Sequence, residues 1–179
     1  MPKKLSDVKD GIIEEARREV FENGYDALTI RNVAKRCGIA TGTIYNYFKN
    51  KDELVAAFIL QDWKPRMKEL TERVSDVIDA LETAGLIYAV LLEFEHEFTP
   101  VFAAKKARAK IMEDSSIVRH DMLVKLFSDM LFDKLPVVAS GDRRFRADFI
   151  ADALIRWSAR DLPWETLECV INDLTKTSL

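Results

Sequence analysis

The sequence is short of the residues that break helices. Among 179 residues there are six glycines and five prolines. An all-β fold needs many tight turns, and so few breakers exclude one. Cysteine is nearly absent. Cys37 and Cys169 lie far apart and form no CxxC pair, so both are read as reduced thiols in a cytoplasmic protein, small packed residues rather than redox sensors. No apolar h-region follows the short basic start "MPKKLSD", which is therefore not a signal peptide. The longest apolar run, Ala84 to Leu92, is too short to span a bilayer. No HExxH, phosphate loop or Ser/His/Asp arrangement is present in the sequence. No catalytic residue, cofactor or metal site is expected. The cluster of Glu93, His96 and Glu97 reads as a solvated helix end, with a metal or a cationic ligand as the lesser alternatives.

One further absence is local. The chain carries a formal charge of −3, yet from Ala27 to Lys51 it has no acid and five bases, Arg31, Lys35, Arg36, Lys49 and Lys51. An acidic protein with one basic segment can bind a polyanion through that segment.

What is present is helix-forming throughout. Ile12, Ile13, Ala16, Val20 and Phe21 recur at helical spacing behind Ser6 or Asp7 as N-cap, and Gly24 supplies the stop. Thr29 caps a short helix with Ile30, Val33 and Ala34 inside, closed by Gly38. "TGTIYNYFKN" forms another short helix with Ile44, Tyr45 and Phe48 as its inner face. A long helix runs from Lys51 to Val74, with Asp52 and Glu53 in its first turn and Pro65 expected to kink or interrupt it. Further helices are predicted over 75–98, 101–114, 115–135, 141–161 and from Pro163, at a first helical position, to the end. The reading is all-α. A three-helix helix-turn-helix domain occupies 1–50, and an antiparallel helical bundle for ligand binding and dimerisation occupies 51–179.

Two short helices joined by a glycine-containing turn at 29–48 fit a helix-turn-helix, whose second helix enters the major groove. Gly42 lets backbone approach DNA closely. Thr41 and Thr43 offer hydroxyls to bases or phosphates, and Asn46 can pair bidentately with adenine. Tyr47 can donate to a phosphate or stack. Tyr45 is assigned a packed ring with its hydroxyl toward phosphate. Lys51 is read as a phosphate clamp, and Lys49 as a general electrostatic contributor.

"LTIRNVAKRCGIATGTIYNYFKNKDELVAAF", Leu28 to Phe58, resembles the DNA-binding signature of the tetracycline-repressor (TetR) family. The matched features are the leading Leu-Thr, "VA…G", "TGTIYNYF" and "KNKDEL". Cys37 departs mildly from the family's common alanine. The resemblance implies a homodimeric regulator, usually a repressor, released from double-stranded operator DNA by a small ligand. It carries the family's DNA contacts to Arg31, Thr41, Gly42, Thr43, Tyr45, Asn46, Tyr47 and Lys51.

Beyond residue 52 the pattern must supply a pocket and an interface. Pocket candidates for a small hydrophobic effector are Trp63, Met67, Tyr88, Leu91, Phe94, Phe98, Phe102, Met122, Leu126 and Phe127. Tyr88, inside an apolar run, is the expected polar anchor. Apolar stripes on the last two helices predict the dimer surface: Phe149, Ile150, Ala153, Leu154 and Trp157 on one, Leu167, Val170, Ile171 and Leu174 on the other.

Overall fold

A computed structural model describes residues 5–102, 120–137 and 142–175. Every regular element among them is helical: α1 (Leu5–Asn23), a 3₁₀ turn (Tyr25–Ala27), α2 (Ile30–Cys37), α3 (Thr41–Tyr45), α4 (Lys51–Ser75), α5 (Ala80–Glu97), α6 (Thr99–Phe102), α7 (His120–Phe132), α8 (Arg143–Ser158) and α9 (Trp164–Thr175). Residues 103–114 of the helix expected over 101–114, residues 115–119 of the one expected over 115–135, and the end of the last helix at 176–179 lie outside the described residues.

Local chemistry sets most boundaries. Helix α1 starts before the expected caps, so Asp7 sits inside its first turn. Gly24 ends α1 at a φ of 84°, a conformation costly for any residue with a Cβ. The Thr29 hydroxyl accepts from Asn32 N–H at 3.1 Å and caps α2. At the other end of α2, Gly38 adopts the left-handed conformation (φ 66°, ψ 31°). Ile39 N–H bonds to Ala34 and Gly38 N–H to Lys35, which together satisfy orphan carbonyls in a Schellman motif. Asn50 caps α4: its side chain accepts from Glu53 N–H at 2.8 Å, and the Glu53 carboxylate accepts from Lys49 N–H at 2.7 Å. Helix α4 runs unbroken through Pro65, against the expected interruption. Asp79 accepts from Glu82 N–H and starts α5 five residues later than predicted. Pro163 lies one residue before the first helical position of α9.

The described residues form two compact units. One comprises 5–64 and 98–102, the other 65–97, 120–137 and 142–175. In the first unit, Ile12, Ile13, Ala16 and Val20 of α1 are buried with Leu28, Val33, Ile44, Leu54, Val55 and Phe58. Each such Val, Leu, Ile or Phe side chain contributes roughly 1.5–3 kcal/mol relative to exposure. Phe98 stacks on Phe58 and meets Phe21 edge-on, with centroids 6.2 and 5.7 Å apart. In the second unit, α8 packs against both α7 and α5, and α9 packs against α5. Lys134 donates to the carbonyls of Val74 (2.5 Å) and Val77, closing the C-terminal end of α4 where the helix dipole favours a cation.

Candidate nucleic-acid interface

The first unit brings the basic segment together on a small helical frame. Glu15, Glu19 and Glu22 lie four and three residues apart, on one face of α1. All three pair with Arg36 of α2, and Glu19 is buried. Arg36 is therefore committed to fixing α2 on α1, although charge counting had placed it with the polyanion-attracting bases. Arg31, Lys35 and Lys49 are exposed, as a surface that meets phosphate requires.

Helix α3 divides its residues between two faces. Ile44 and Phe48 are fully buried and tie it to the frame. Gly42 and Asn46 are exposed, and Thr41 and Thr43 are half-buried. The two tyrosines exchange the roles expected of them. Tyr45 is 55% exposed, so its ring is not packed on the inner face. Tyr47 is half-buried instead, its ring 6.4 Å from that of Phe48. The reason is that α3 ends at Tyr45, short of the expected helix. Thereafter the chain tightens, and Tyr47 N–H bonds to the carbonyl of Ile44, three residues back.

Lys51 opens α4 half-buried. Its ammonium lies 4.1 Å from the Tyr25 ring centroid and 3.4 Å from the Tyr25 carbonyl oxygen. The Tyr25 phenol donates to the buried carboxylate of Asp52, a pairing that sequence reasoning missed because the partners are 27 residues apart. Burial, and then Asp52, push the Tyr25 phenol above its usual range. Cys37 is half-buried, with Sγ 3.7 Å from the Gly11 carbonyl oxygen.

The other predicted sites come together only in part. Phe98 and Trp63 are core residues of the first unit, whereas Tyr88, Leu91, Phe94 and Phe127 are buried in the second. The Tyr88 hydroxyl, expected as a ligand anchor, donates to the Leu162 carbonyl, and its ring lies 5.4 Å from that of Trp164. Met67 and Leu126 are half-buried, Met122 is 56% exposed, and the Phe102 side chain lies outside the described residues. A groove of about 660 Å³ opens between α7 and α8, lined by His120, Asp121, Val124, Lys125, Arg144, Asp148 and Asp152. No predicted pocket residue lines it, and hydrophobic patterning could not have found so polar a lining. His96 Nε2 lies 2.7 Å from Asp161 Oδ1, a partner that sequence reasoning missed. Among the described residues no group of three His, Cys, Asp or Glu is placed to hold a metal.

The expected dimer stripes also split. Ile150, Leu154, Leu167 and Ile171 are buried within the chain, and so are core rather than interface. Ala153, Trp157 and Leu174 are half-buried. Phe145, Phe149 and Val170 remain exposed, the two phenylalanines stacked 6.4 Å apart, and Cys169 beside Val170 is exposed rather than packed. Among the described residues no helix is long and apolar enough to cross a membrane.

A glycine-containing turn between two short helices, with apolar residues inside and threonine, glycine, asparagine and lysine outside, defines a helix-turn-helix of the DNA-binding type. Residues 12–58 match the model of bacterial regulatory proteins of the tetR family. In this segment the chain is similar to the tetR family. It is 37% identical over 73 residues to the fatty acid metabolism regulator protein of Bacillus subtilis, covering 41% of this chain and 36% of that one. The chain spans about a third of the length of the first curated relatives it matches. A longer match, 24% identical over 170 residues, covers 91% of this chain and 79% of the transcriptional repressor KstR2 of Mycolicibacterium smegmatis. The fold is similar to that of the regulator FadR from Bacillus subtilis, solved in complex with stearoyl-CoA: TM-score 0.57, 21% identity, 93% of this chain and 95% of that one covered.

Proposed function

We propose that the chain is a ligand-responsive transcriptional regulator, a repressor, that binds a palindromic operator as a homodimer. The observation that carries this reading is the divided surface of α3. Ile44 and Phe48 hold it to the frame, and Gly42, Tyr45 and Asn46 stand outward in a segment without acids. Groups of those types read base edges and phosphates, and the exposed Arg31, Lys35 and Lys49 supply the sequence-independent attraction. Two copies related by a twofold axis would set recognition helices about 34–36 Å apart or a multiple of that.

The effector in this reading is a small hydrophobic molecule held in the helical bundle. Helix α4 runs without a break from Lys51 to Ser75, so a ligand that shifts it shifts Lys51 as well. The ligand must prefer the conformation that does not bind DNA, or no population moves. The stearoyl-CoA held by the Bacillus subtilis neighbour makes acyl thioesters one class to include in a thermal-shift panel.

An electrophoretic shift with DNA from upstream of the protein's own gene, against excess competitor duplex, tests the main reading. A specific shift supports it. Its absence at low salt leaves a helical ligand- or partner-binding protein without operator binding. Asn46→Ala is expected to weaken operator binding by about 1–3 kcal/mol and to relax discrimination at one base pair. An equal loss on every duplex would sink the base-reading role.

A further inference from the structure

Tyr25 lies in the turn between α1 and α2, and two consecutive residues of the first turn of α4 grip it. Asp52 accepts its hydroxyl, and both side chains are buried. Lys51 places its ammonium over the ring and within reach of the carbonyl. We propose that Tyr25 is a positioning residue for DNA binding, whose ring and carbonyl hold the Lys51 ammonium ready for a backbone phosphate while Asp52 fixes the ring through its hydroxyl. The proposal rests on the reading of residues 30–51 as the DNA interface.

The physical case has three parts. A lysine free in solvent loses rotamer freedom when it settles on a phosphate, and one already held by its neighbours loses less. The hold does not exhaust the cation. An ammonium has three donors, the carbonyl takes one, and attraction to the ring face takes none. Finally, the anchor is buried where the cation is not. Tyr25 and Asp52 are 8% and 3% exposed, whereas Lys51 is half-buried and reaches the surface at the end of the basic segment. The phenol is protonated at neutral pH in any case, and so is a donor to Asp52 there; burial pushes its titration further up.

A double-mutant cycle tests this with a labelled mixed-sequence duplex of about 30 base pairs, three helical turns, titrated by fluorescence anisotropy at several salt concentrations. Lys51→Ala is expected to weaken binding about tenfold and to reduce the salt slope by about one. Tyr25→Leu is expected to weaken it nearly as much, and to add less than about twofold in the Lys51→Ala background. Tyr25→Phe keeps the ring and loses the tether, so it falls between wild type and Tyr25→Leu. A purely structural tyrosine would weaken binding equally in both backgrounds, which overturns the proposal, as does a Tyr25→Leu protein that binds like wild type. Helical content by circular dichroism identifies any unfolded variant. If Tyr25→Leu fails to fold, the same cycle with Tyr25→Phe decides on the same criterion. Wild-type protein that binds no duplex at low salt overturns the DNA-binding reading and this inference with it. Wild-type binding with additive losses overturns the inference alone.

Discussion

A methyl group added at Gly42 would meet no heavy atom of the protein within 4 Å. Nothing in the folded chain therefore requires glycine there, and alanine is the better helix former. Gly42→Ala is expected to leave stability unchanged or raise it by about 0.5 kcal/mol in urea unfolding, while DNA binding weakens because backbone can no longer approach as closely. A variant both stable and fully competent for DNA would remove the reason for glycine at this position. Tyr25 gives a second single-residue test. Its phenol is raised above the ordinary value of 10.0, by burial first and then by Asp52. A raised folded value means the native state favours the protonated phenol. That contribution is fully present below 10.0 and fades as pH climbs through the higher folded value. The thermal midpoint of wild type should therefore fall above about pH 10 more steeply than that of Tyr25→Phe, and parallel curves would argue against the coupling.

At the scale of elements, α4 depends on how its first turn is closed. Asn50 and Glu53 occupy backbone N–H groups at the start of a 25-residue helix. Asn50→Ala is expected to cost about 1 kcal/mol in chemical denaturation, and Asn50→Asp to retain most of that, since aspartate caps equally well. Equal melting of wild type and Asn50→Ala would show that tertiary packing alone fixes the start of α4. This boundary was legible in the sequence from the acids Asp52 and Glu53 in the first turn, although the Asn50 cap itself was not read there. The caps of α2 and the burial of Ile44 and Phe48 were legible too. The exchanged roles of Tyr45 and Tyr47 were not. Helical spacing assumes the helix continues, and the tightening after Tyr45 rotates the next residues onto other faces. Nor was the Arg36 clasp legible, since a count of bases does not reveal which of them the fold spends internally. The bundle patterns were harder still. A helix buried on two sides carries apolar residues for its own core and for any partner alike, so Ile150 and Phe149 look equivalent as letters.

At the scale of the whole molecule, that same pair separates folding from assembly. Ile150 is sealed in the chain, whereas Phe149 is 50% exposed and stacks with the 66% exposed Phe145. An alanine at Ile150 leaves a cavity and should cost about 2–5 kcal/mol of monomer stability. Phe149→Glu removes no sealed core contact, so its effect on the monomer should stay within about 1 kcal/mol. Its effect on association should be large, because a carboxylate would have to be desolvated between two copies. Sedimentation is therefore expected to show wild type as a dimer and Phe149→Glu as a folded monomer. DNA binding follows from the same step. Two linked helix-turn-helix units bind two half-sites with an effective concentration that separate monomers lack, a factor of about 10²–10⁴ in affinity. The monomeric variant should lose that factor on a palindromic operator, yet bind an isolated half-site about as well as one subunit of wild type does. A Phe149→Glu protein that still sediments as a dimer would move the interface off the exposed face of α8. A wild type that sediments as a monomer would remove the twofold symmetry on which the palindromic operator depends.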